Sequence, residues 1–117
     1  MNISQLETPA LILDLDVLDE NLQAMALLLQ GSRAKLRPHY KSHKCTYIAH
    51  RQIEAGAKGI TCAKLGEAED LVQSGIKDIL IANQIVQKTK IARLAQLAKM
   101  CKLTVCVDNA DNIADMS

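Results

Sequence analysis

The stretch Gly56–Ala82 reads GAKGITCAKLGEAEDLVQSGIKDILIA, and it contains its own echo: GAKGIT from Gly56 returns as GIKDIL from Gly75, 19 residues on. That offset accommodates one strand, one helix and two tight connections. The apolar ends of the two copies predict strands at Gly59–Cys62 and Asp78–Ala82. Between them Leu65, Ala68, Leu71 and Val72 recur at the spacing that lines one face of a helix over Lys64–Ser74.

The same alternation extends in both directions. Further strands are expected at Leu36–Lys41 and Leu103–Val107, and helices at Thr46–Ala55 and Lys88–Lys102, the latter with Ile91, Leu94, Ala95, Ala98 and Cys101 on one face. Upstream, Thr8–Leu13 (TPALIL) reads as a strand entered through a proline. A helix follows it with Leu18, Leu22, Met25 and Leu29 in phase and Asp16 as its N-cap. Alternating strand and helix imply a parallel sheet covered by helices. An open doubly wound sheet would carry a Gly-rich first turn, and neither G-x-G-x-x-G nor G-x-x-x-x-G-K-[ST] occurs. Half of a (β/α)8 barrel is the reading left, about four parallel strands plus one N-terminal strand. A half barrel has uncovered edges, and the sequence stops at Ser117 inside the helix after the fourth strand, so the chain is expected to be a piece of a longer protein.

Composition narrows the function classes. The 117 residues are 49% hydrophobic and 23% charged, a globular balance. A net charge of +1, with both signs mixed along the chain, favours neither nucleic acid nor membrane, and two tyrosines without Phe or Trp leave little for base stacking. Apolar runs such as Met25–Leu29 are too short to span a bilayer, and the N-terminal region has no export signature, so the expected location is the cytoplasm. Cys45, Cys62, Cys101 and Cys106 form no C-x-x-C pair and have no zinc spacing, and read as reduced thiols in an apolar interior.

The chemistry concentrates in Leu36–Lys44, LRPHYKSHK, which holds two of the three histidines, an arginine and two lysines. In a barrel the C-terminal strand ends converge on one mouth. Those ends carry Lys41, Ser42 and His43; Cys62 and Lys64; Asn83 and Gln84; Asp108 and Asn109. Lys41 is the most informative of them. Partial burial and neighbouring cations (Arg37, Lys44, and Lys64 across the mouth) would favour its neutral amine, which is suited to forming a Schiff base with an aldehyde. A solvated loop lysine is the competing reading. His39 and His43, close together in an extended segment and pointing the same way, offer half of a metal site with no third ligand nearby. His50 reads as a surface or capping residue.

RPHYKSHK, preceded by TPALILDLDVLDENL and followed by IAHRQIEAGAKGITCAKLGEAEDL and DILIANQIV, resembles the D-threonine aldolase and D-serine dehydratase group of pyridoxal-phosphate enzymes, which look like alanine racemases in fold. The resemblance runs over nearly all of residues 1–117, which would form part of the N-terminal cofactor-binding barrel, with the C-terminal β domain absent and Ala10–Leu13 packed against it in the whole protein. It implies that Lys41 holds the pyridoxal aldehyde as an imine, that Arg37, His39, His43 and Lys44 shape the charge around it, and that Lys64, Asn83 and Gln84 complete the cofactor side of the mouth. The implied reaction is aldol cleavage of a β-hydroxy D-amino acid to glycine and an aldehyde, or its dehydration to a keto acid and ammonia. A divalent metal, zinc or manganese, would bind the substrate hydroxyl through ligands outside this chain. The phosphate and metal sites would lie elsewhere, so these 117 residues alone are expected to turn over little substrate, and to pair as a dimer through their open edges. Two further readings are a non-catalytic barrel resembling the pyridoxal-phosphate homeostasis proteins and a truncated, self-associating module.

Overall fold

The computed structural model describes residues 2–117. After a short 3₁₀ turn at Ile3–Gln5, the first long element starts where a carboxylate can serve orphan backbone donors. Asp14 Oδ1 accepts from the N–H groups of Asp16 and Val17, both at 3.1 Å, and opens helix α1, Leu15–Leu28. The cap is therefore Asp14 and not Asp16, which lies inside the first turn. The strand expected over Thr8–Leu13 does not form. Its backbone has no sheet neighbour among the described residues, and Leu11, Ile12 and Leu13 are exposed. On α1, Leu18, Leu22 and Leu29 are half-buried and Met25 exposed, so its apolar face rests on the body without sinking into it.

The body follows as α2 (Thr46–Glu54), β1 (Ile60–Cys62), α3 (Leu65–Gln73), β2 (Asp78–Gln84), α4 (Lys88–Leu97), β3 (Lys102–Cys106) and α5 (Ala110–Met116). The echo has a local cause. Gly56 and Gly75 take φ of +98° and +99° just past α2 and α3, and the next residues return their N–H groups to Gln52 O and Leu71 O at 3.0 Å, a left-handed helix stop at which glycine is least strained. His50 adds to the second stop: its Nε2 lies 2.8 Å from Ser74 O, a capping role. Helix α4 ends four to five residues earlier than its apolar periodicity suggests, because Lys102 already donates its N–H to Lys77 O and starts the next strand.

The sheet is parallel in the order β1-β2-β3, with Ile60 beside Ile79 beside Leu103 and Thr61 beside Leu80 beside Thr104. Sequential order without a switch point among these three strands is the order of a barrel segment. Along the outer edge of β1 runs Leu36–His39. It is tied by Lys58 N–H to Leu36 O (2.9 Å), Thr61 N–H to Pro38 O (2.7 Å) and a bridge between His39 and Thr61. The strand expected over Leu36–Lys41 shrinks to this bridge because Pro38 has no N–H and Tyr40–Ser42 turns into a 3₁₀ helix.

Side chains alternate between two faces. Ile60, Cys62, Ile79 and Ile81 face the helices and, with Leu71 and Ala68 of α3, are fully buried. Each of the large aliphatic side chains contributes roughly 1.5–3 kcal/mol by leaving water. Leu103 and Val105 pack against the same cluster. The opposite face, the inner face of the curved sheet, carries Arg37, His39, Thr61, Asp78, Leu80, Lys102, Thr104 and Cys106.

Candidate functional site

The inner face is organised in rows set by register. The lowest row is Arg37, Gly59, Asp78 and Lys102. Arg37 donates through Nη2 to Asp78 Oδ1 at 2.7 Å and through Nη1 to Asp78 O at 3.2 Å, and Lys102 Nζ lies 3.5 Å from Asp78 Oδ2. Burial pulls the Asp78 carboxyl up, but the hydrogen bonds and charges of Arg37 and Lys102 outweigh it and hold it below its ordinary range. Gly59 lies between the partners: a Cβ there would overlap both the Asp78 carbonyl oxygen and the Arg37 guanidinium. The next row is His39, Thr61, Leu80 and Thr104. Thr61 Oγ1 donates to Arg37 O at 3.2 Å, and His39 Nδ1 accepts the Lys41 N–H at 3.2 Å.

Above these rows is the rim, at the C-terminal ends of the strands. Lys41 lies in the 3₁₀ turn Tyr40–Ser42, two residues past the His39–Thr61 bridge, and is exposed; the partial burial expected of it is not found. Among the described residues its Nζ has no hydrogen-bond or ion-pair partner, so it is a primary amine free to meet a carbonyl. The turn closes on itself: Tyr40 O accepts from His43 N–H at 3.2 Å and from Lys44 N–H at 2.8 Å. Lys44 takes a left-handed φ of 47° and its Nζ lies 3.9 Å from Glu67 Oε1. Glu67, only 8% exposed, also accepts the N–H groups of Ala63 (2.8 Å) and Lys64 (3.3 Å), which caps α3.

Further along the rim, Lys64 is exposed before α3, and β2 changes register between Ile81 and Gln84, where Gln84 pairs with Cys106. This irregularity re-aims the strand end. Asn83 Nδ2 donates to Ala63 O at 3.4 Å and Asn83 Oδ1 accepts Gln84 N–H at 3.0 Å, so Asn83 bridges the tips of β1 and β2. Asn109 caps α5 through Asn112 N–H, and buried Asn112 donates to Ile85 O at 2.9 Å.

Lys41, Lys64, Asn83 and Gln84 thus share one rim, and Arg37 and His43 do not join them as expected. Arg37 is four residues before Lys41, in the lowest row of the sheet, and is engaged with Asp78. His43 is folded under the turn. Its ring meets Tyr40 edge-on, with centroids 5.4 Å apart and planes at 84°, and its Nδ1 accepts Cys45 N–H at 3.1 Å. The two histidines do not point the same way from an extended segment, since the turn at Tyr40–Ser42 intervenes. Among the described residues no three His, Cys, Asp or Glu side chains gather into a metal site. All four cysteines are free; only Cys62 is fully buried, on the helix side, where burial and the charge of Glu67 push its thiol up to about 12. Sequence reasoning passed over Asp78 and Glu67. Glu67 had a signal in its cap spacing, three residues after Lys64, whereas Asp78 had none, its partner being 41 positions away.

The model of the alanine racemase N-terminal domain matches residues 13–117. A D-threonine aldolase of Arthrobacter sp is 46% identical over 115 residues, covering 98% of this chain and 30% of the relative. A D-threo-3-hydroxyaspartate dehydratase of Delftia sp. (strain HT23) is 36% identical over 104 residues, covering 89% of this chain and 27% of the relative. The crystal structure of D-threonine aldolase from Filomicrobium marinum superposes with a TM-score of 0.95 at 50% identity, covering 98% of this chain and 31% of that one. The chain therefore spans about 30% of the length of the curated relatives it matches.

Proposed function

Because this chain belongs to the alanine racemase N-terminal domain family, we propose that it is the lysine-bearing part of a pyridoxal-phosphate-dependent lyase acting on β-hydroxy D-amino acids. The observation that carries the reading is Lys41: an exposed amine without an ion partner among the described residues, at the rim where strand tips converge. That donor chemistry fits the aldehyde end of the cofactor. When bound, the cofactor's ring withdraws electrons from the substrate's α carbon.

The chain's own residues then have these roles. Lys41 Nζ would hold the cofactor and is placed to carry a proton. His39 fixes the Lys41 backbone through its N–H. Lys64, Asn83 and Gln84 present donors to the polar groups of the bound molecules, while Arg37 braces the floor of the sheet against Asp78. A divalent metal has no ligand set among the described residues. Higher identity to D-threonine aldolases than to the dehydratase favours carbon–carbon cleavage over dehydration. Four free thiols agree with a reducing, cytoplasmic setting.

The test is covalent trapping. Incubation with pyridoxal 5′-phosphate and then borohydride, followed by peptide mapping, is expected to label Lys41 ahead of Lys44 and Lys64, and Lys41→Ala is expected to lose that label. Equal labelling of all three lysines would refute the reading.

A further inference from the structure

Resting on the assignment of Lys41 as the cofactor lysine, we propose that His43 is a positioning residue that sets the turn presenting the Lys41 amine. Tyr40 O closes the turn by accepting from the His43 and Lys44 N–H groups, but its tip has few ties. Lys41 and Ser42 are exposed, Lys41 is tied only through its backbone N–H to His39, and Lys44 adopts a left-handed φ of 47° that a residue with a Cβ rarely takes. Such a conformation persists where its surroundings over-determine it.

His43 supplies that constraint at two points. Its ring stands edge-on to Tyr40, which is 3% exposed and belongs to the core, so the turn is anchored inward. Its Nδ1 accepts the N–H of Cys45, the N-cap of α2, so the turn is anchored forward to the start of a helix. Between those anchors the residues looped out are Lys41 and Ser42. An Nδ1 that accepts leaves the ring proton on Nε2, which is buried beside Gln52; neither Nε2 nor Gln52 Oε1 makes a well-formed hydrogen bond. The ring is thus turned to the interior on both sides and takes no part in the open rim. Its action on the cofactor runs through Lys41.

The test compares His43→Ala, His43→Leu and His43→Asn in the full chain, using pyridoxal 5′-phosphate, borohydride and lysine mapping. Leucine keeps volume against Tyr40 but has no acceptor. Asparagine restores one, because its side-chain carbonyl accepts the N–H two residues on. The expected result is that the preference for Lys41 over Lys44 and Lys64 falls roughly tenfold in the alanine and leucine variants, the weight of one backbone hydrogen bond, and returns with asparagine. Unchanged preference in a folded alanine or leucine variant, or no recovery with asparagine, overturns the proposal. Amide exchange in the wild-type chain is independent of whether the variants fold: a Cys45 amide that exchanges as fast as an unstructured one also overturns it. A wild-type chain with no preference for Lys41 would instead sink the lysine assignment itself.

Discussion

The His43 imidazole makes the pH response of this chain readable at a single residue. Burial lowers its pKa, the Cys45 N–H donated to Nδ1 keeps that nitrogen unprotonated, and no charged side chain takes part. A histidine with a depressed folded pKa favours the neutral ring, so its contribution to stability is full above the unfolded value of about 6.5 and is lost as pH falls through the folded one. Denaturant midpoints are expected to drop in the interval below about pH 6.5, and His43→Asn is expected to flatten that part of the curve. A wild-type midpoint constant over this interval would contradict it. The residue scale is also where sequence reading succeeds and fails for a stated reason. Lys41, Lys64, Asn83 and Gln84 could be placed on the rim by counting to strand ends. Arg37 and His43 could not be placed, because their orientations depend on Asp78, 41 residues away, and on a turn that no periodicity announces.

At the scale of elements, the helix whose face was plainest in the sequence is also the best anchored: Leu65, Ala68, Leu71 and Val72 of α3 are all buried. Its N-terminus depends on Glu67. Glu67→Ala leaves the Ala63 and Lys64 amides without their acceptor and Lys44 without its counter-ion. A loss of roughly 1–3 kcal/mol is expected in equilibrium unfolding, with Glu67→Gln recovering most of it through the same carbonyl geometry. Strand edges were less legible. TPALIL has the composition of a strand but no neighbour among the described residues to complete its ladder, and LRPHYK has the neighbour but a proline and a turn that stop the pairing at one bridge. Local preference proposes an element, and partners at a distance decide whether it pairs.

Across the whole molecule, order is graded. Helix α1 buries no residue fully and is tied to α2 by the Arg51–Asp19 pair at 2.6 Å, whereas β1 and β2 contribute the fully buried Ile60, Ile79 and Ile81. Hydrogen exchange should therefore be fastest in α1 and slowest in β1 and β2, with α3 close behind the strands; protection in α1 equal to that of β2 would show a tighter union than the burial pattern implies. The floor of the sheet adds a second whole-fold test. Gly59→Ala is expected to cost roughly 1–3 kcal/mol, read as a lower unfolding midpoint, because the new methyl has no room. One of the two groups it meets is main chain, the Asp78 carbonyl, which every residue type at position 78 would retain. A damaged position 59 consequently has no remedy through another side chain: a genetic selection for revertants of the alanine variant should return glycine at that codon, and suppressors at codons 37 and 78 should be missing from the survivors.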